Sequence, residues 1–129
     1  MSRQRLLTIN GWFLVIVGFL QAIMTIIGRF TGNGILKQLH NDPLGAIEMF
    51  EGFMLAGLFG IVFIRMAKTA DKFRFWNLLA CFIHLTLGTA NIVFWTDTFV
   101  AMDAQIPGTV ATILHFAFAL TEGLMGLKK

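Results

Sequence analysis

The sequence predicts an all-α membrane protein, an antiparallel bundle of four transmembrane helices with both termini in the cytoplasm. Three observations carry this reading: the composition, four apolar runs of similar length, and the placement of lysine and arginine. Of 129 residues, 57% are apolar and 13% charged, the mean hydropathy is +0.76, and thirteen glycines raise the apolar share further. Soluble domains hold roughly 45–50% apolar residues with glycine included. A soluble globular domain and a disordered chain are both excluded, and the length allows one domain, residues 1 to 129. The ten lysines and arginines lie in short groups between apolar runs. Their basic balance therefore reflects membrane topology, and no nucleic-acid partner is expected. Cys81 stands alone, so no intramolecular disulfide or paired-cysteine metal site can form.

The apolar runs cover residues 8 to 28, 44 to 64, 75 to 95 and 108 to 127. Each is about 30 Å long as a helix, enough to cross the hydrocarbon core. The first opens behind Arg3 and Arg5 like a signal peptide. Its run is long, however, and Gly28-Arg29 offers no small-x-small cleavage site, so it is expected to be retained. Asp42-Pro43 reads as a cap with proline at the first helical position of the second span, and Pro107-Gly108 as a break before the fourth. Arg3, Arg5, Arg65, Lys68, Lys72, Arg74, Lys128 and Lys129 fall on one side of the spans, against Arg29 and Lys37 on the other. That bias places the tails and the 65 to 74 connection inside, and the 29 to 43 and 96 to 107 loops outside.

Lipid offers polar side chains no partners, so polar residues in spans should face other helices. The third span repeats Asn77, Cys81, His84, Gly88, Asn91 and Trp95, and the fourth Gly108, Thr112, His115, Ala119, Glu122 and Gly126. Steps of three and four put each set on one stripe. The first span carries Gly11, Gly18, Gln21, Thr25 and Gly28 in the same rhythm. The second carries Gly45, Glu48 and Glu51, then a small-residue ladder of Gly52, Ala56 and Gly60 that would admit a close neighbour.

For the glycines, threonines, Gln21, Asn77 and Cys81, packing and interhelical hydrogen bonds explain the pattern. Intramembrane Glu and His are functional candidates by default. Counted from the outer ends, Glu48, Asn91, Glu51, His115 and His84 lie roughly 6 to 16 Å deep, in the outer half. Glu122, roughly 9 Å from the inner end, is within reach of basic residues there and reads as structural. His84 and His115, offset by roughly 6 Å, are candidate axial ligands for haem b, or are satisfied by Glu, Asn or Thr on a neighbouring helix. Glu48 and Glu51 with the histidines also have the composition of a buried acid/base site, with Asn91 as a polar anchor. Its substrate would be lipophilic and its reaction an isomerisation. His40, Asn41, Asp42, Asp97 and Asp103 in the outer loops read as a solvated rim, and no metal site is expected. Transport is disfavoured by the lack of internal symmetry and of broken helices.

The Arg-led first span, the outer loop ending at Asp42-Pro43, Glu48-Met49-Phe50-Glu51-Gly52 opening the second span and the basic turn after Arg65 together resemble small four-span bacterial inner-membrane proteins of the DoxX-like kind. That resemblance implies a multi-pass inner-membrane location and a redox context, since some such proteins are accessory subunits beside redox enzymes. Four-span haem-containing epoxide isomerases are similar in architecture. The leading expectation is a polar site of Glu48, Glu51, His84, Asn91 and His115 that holds a small apolar ligand or a haem. The alternatives are an accessory subunit docked through Gly52, Ala56 and Gly60 on a membrane partner or a second copy, and an intramembrane isomerase.

Overall fold

A computed structural model describes residues 1–128. It is all helical: α1 (Arg3–Thr31), a 3-10 turn (Lys37–Asn41), α2 (Pro43–Thr69), α3 (Phe73–Val93), a π-turn (Thr96–Val100) and α4 (Gln105–Leu127). All four α-helices are long and apolar enough to cross a membrane. Their exposed side chains are those that water would reject. Ile16, Leu20, Ile23, Phe82, Ile113 and Leu120 all stand outside the core. A surface of this kind suits lipid and would aggregate in water.

The helices outrun the apolar stretches that announce them. Arg65 and Lys68 belong to the last turns of α2 and Arg74 to the first turn of α3, so the connection expected at 65 to 74 shrinks to residues 70–72. Pro107 does not break the chain before the fourth helix, which starts at Gln105. Within the first helical turn the N–H groups have no intrahelical acceptor, so proline there removes no bond.

The chain divides into two compact units, Ile9–Arg65, and Met1–Thr8 with everything from Met66 onward. In the first, α1 and α2 meet through glycine. A Cβ on Gly18 would stand 2.6 Å from the Gly57 nitrogen and 2.7 Å from the Phe53 carbonyl oxygen. One on Gly60 would stand 2.6 Å from the Gly11 oxygen and 2.7 Å from the Val15 nitrogen. Backbone thus packs on backbone, the contact that small residues permit inside a membrane. The small-residue ladder is only partly used: Gly60 is closed against α1, whereas a Cβ on Gly52 would meet nothing. Past α1 the chain reverses through Gly32 and Gly34, at φ +66 and +82, a region that side chains with a Cβ avoid. Arg29 Nη1 donates to the His40 carbonyl, and His40 Nδ1 lies 3.0 Å from the Arg29 carbonyl, tying the turn to the helix end. Asp42 caps α2 as expected, its Oδ1 accepting from the Gly45 N–H at 2.9 Å.

In the second unit α3 and α4 pack along their whole length. Leu78 lies against Gly126, Cys81 against Gly123, Gly88 against Phe116 and Asn91 against Thr112, so the two run antiparallel. Phe99 from the π-turn closes over Gly108, and Arg3 at the start of α1 donates from Nε to the Met125 carbonyl at 2.7 Å.

Candidate functional site

The α3–α4 contact carries a polar seam. Asn77, His84 and Asn91 follow one another at seven-residue steps, so two helical turns, about 10.5 Å, separate each from the next on one face of α3. Asn77, His84 and Glu122 are fully buried. Each meets a polar group on α4 or is met by one. Asn77 Nδ2 donates to Glu122 Oε2 and, at 3.4 Å, to the Arg3 carbonyl. Asn91 Nδ2 donates to Thr112 Oγ1 at 3.2 Å, while that hydroxyl donates to the Gly108 carbonyl at 2.8 Å.

Between these pairs lies the feature with chemical capacity. His84 Nδ1 and His115 Nδ1 are 2.9 Å apart, with ring centroids 5.2 Å apart at 41°. His84 also stacks on Phe118 at 4.9 Å and 16°. Gly88 makes room for this arrangement, since a Cβ there would lie 3.0 Å from the Phe116 ring and 3.3 Å from the His115 Cβ. A helical step from His84 to Gly88 thus places a ring opposite a hole, and α4 sets His115 beside it.

A hydrogen bond between two Nδ1 atoms demands unlike partners. One imidazole carries its proton on Nδ1, and the other leaves Nδ1 bare and carries its proton on Nε2. His115 is half-buried, and its Nε2 has no hydrogen-bond partner among the described residues. When His84 donates, His115 offers an Nε2–H donor; when His115 donates, it offers a bare Nε2 acceptor. Exchanging the two tautomers, in which the bridging proton crosses to His115 while the Nε2 proton of His115 leaves and His84 gains one at Nε2, inverts what the site presents. Both rings cannot hold Nδ1 protons at this distance.

The other sequence candidates belong to other elements. Glu48 and Glu51 are exposed on α2, in the Ile9–Arg65 unit. Asp97, Asp103, His40, Asn41 and Asp42 are exposed too, and no group of three or more His, Cys, Asp or Glu could hold a metal among the described residues. Glu122 accepts from Asn77 Nδ2. Sequence reasoning missed Asn10, fully buried on α1; an amide in an apolar run was the available signal. The stacking of Phe118 on His84 had no sequence signal, because phenylalanine is common throughout the spans.

No family model, curated protein or solved structure matches this chain. What it shares with small four-span membrane proteins is four long apolar helices. It is a multi-pass membrane protein with a buried His/Asn/Glu network.

Proposed function

We propose that the α3–α4 seam binds the hydrogen-bonding head of a small apolar molecule, with His115 as the contact and His84 as the group that positions it. The observation that carries this reading is the Nδ1 to Nδ1 contact at 2.9 Å, which leaves the half-buried His115 one free ring nitrogen. Lipid cannot satisfy that nitrogen, whereas a carbonyl or hydroxyl head group can. Apolar flanks such as Phe116 and Phe118 suit the rest of such a molecule. A carbonyl-headed lipophile of this type fits a membrane redox setting, in line with the layout shared with DoxX-like proteins. Asn91 belongs to the same seam as a polar anchor, and the acid/base roles for Glu48 and Glu51 remain part of the isomerase alternative.

The pair does not suit a haem clamped between both histidines, because direct contact of the two imidazoles leaves no room for an iron and its macrocycle. A haem b would have to take His115 alone, through Nε2. The test uses a short-chain benzoquinone as probe and quenching of tryptophan fluorescence as readout. Saturable quenching should be lost in His115→Ala and weakened in His84→Ala. Quenching that is unsaturable, or equal in all three proteins, would sink the proposal.

A second reading, a subunit docked on a membrane partner or a second copy, rests on α2. Glu48, Glu51 and Gly52 stand together on an exposed face, and an uncovered carboxylate in a span is costly. Cross-linking from a cysteine placed at Gly52 would capture that neighbour, and its absence in native membranes would discard the reading. The bias of lysine and arginine supports cytoplasmic termini, and the layout supports an inner membrane.

A further inference from the structure

A cleft of about 510 Å³ opens in the second unit where α3 begins. Three cations line it, Arg3, Lys72 and Arg74, against one carboxylate, Asp71. Its other walls are Phe73, Phe75 and Leu78, from the first two turns of a helix that continues into the apolar span. We infer that this cleft is a binding site for an anionic phospholipid, with the headgroup phosphate between the cations and an acyl chain along Phe75 and Leu78.

Each part of the cleft contributes to that fit. Arg3 is held in place, since Nε and Nη2 donate to the carbonyls of Met125 and Lys128 at the end of α4. Its charge is thereby fixed at the rim and does not sweep through solvent. Lys72 and Arg74 are exposed and free to close on a phosphate. Leu78 is backed by Gly126, at which a Cβ would lie 2.6 Å from Leu78 Cγ, so the apolar wall is set by helix packing. Phe75 is 57% exposed and stands edge-on to Trp76, with ring centroids 5.3 Å apart at 82°. Aromatic and basic residues together at the end of a span are the composition of a lipid headgroup boundary. A free phosphate would gain nothing from Phe75 or Leu78, and a zwitterionic lipid would bring an ammonium into a cleft where three cations outweigh the single carboxylate of Asp71. The excess positive charge with an adjoining apolar wall selects a lipid with net negative charge.

The full chain, purified in nonionic detergent, is mixed with equal phosphatidylglycerol and phosphatidylcholine, and retained lipid is counted by native mass spectrometry. Phosphatidylglycerol should be favoured. The pair Lys72→Ala and Arg74→Ala should lower the ratio roughly 5- to 25-fold, one to two cations' worth of surface attraction. Arg5→Ala with Lys68→Ala removes the same charge from exposed positions outside the cleft and should leave the ratio near wild type. Equal loss in this control would mean diffuse attraction and overturn the site. A wild-type ratio near one would do the same. Inorganic phosphate should fail to displace the lipid; displacement at millimolar phosphate would reassign the cleft to a small anion and overturn the lipid proposal.

Discussion

His84 Nδ1 and His115 Nδ1 lie 2.9 Å apart across the α3–α4 contact, a hydrogen bond that one ring donates and the other accepts. Their positions are unequal: His84 is sealed and stacked on Phe118, while His115 is half-buried. The buried ring thus bears on the less buried side of the pair through the other. This inequality separates the pair from two interchangeable ligands and sets the order of effects among variants.

Replacing His115 with Ala should abolish binding of a carbonyl-headed lipophile, and replacing His84 with Gln should retain part of it, because an amide can still exchange one hydrogen bond with His115. His84→Leu should cost about tenfold more than His84→Gln, the scale of one buried hydrogen bond. Quinone titrations on the three proteins decide the matter. Equal affinity in the Gln and Leu variants would remove His84 from the site.

Absorption of the purified protein, oxidised and then reduced with dithionite, should lack the spectrum of an iron with two axial imidazoles. A Soret band with sharp α and β bands on reduction, lost in either His84→Ala or His115→Ala, would reverse that conclusion and require the two rings to part.

At the other end of the seam, Asn77 Oδ1 is buried without a hydrogen-bond partner while Nδ2 serves Glu122 and Arg3. A carboxylate without its proton cannot donate, whereas a carboxamide donates whatever the pH. Glu122→Gln should therefore match or exceed wild-type stability, whereas Glu122→Leu should lose about 1–2 kcal/mol. Thermal unfolding in one detergent gives both values. Equal losses would mean that the charge of Glu122, and not its hydrogen bond, holds the helices.

The spans, the Asp42 cap and the polar stripes of α3 and α4 were legible in the sequence because each follows from periodicity or local turn chemistry. What periodicity cannot supply is rotation and partner. It grouped Glu48 and Glu51 with the histidines by depth alone, and depth does not tell which way a helix face turns; both side chains are exposed on α2. It joined Gly52 to Gly60 as one ladder, whereas the α1 contact uses Gly57 and Gly60. The histidine pair was within reach because His84 and His115 occupy matched stripes. Their direct bond was not, since it depends on the vacancy at Gly88.

That distinction between glycines is itself testable. At Gly18 an added methyl would run into the Gly57 nitrogen and the Phe53 carbonyl, backbone atoms that can yield only if the helices separate. Gly18→Ala should cost about 1–3 kcal/mol, the range for overpacking a tight contact. At Gly52 the same methyl meets open space and removes a flexible residue from a helix interior, so Gly52→Ala should be neutral or gain about 0.5–1 kcal/mol. Unfolding midpoints in an SDS titration should therefore fall for Gly18→Ala and hold or rise for Gly52→Ala, for the same chemical change. A loss at Gly52 as large as at Gly18 would instead place a partner helix on the exposed face of α2, where Glu48 and Glu51 also stand.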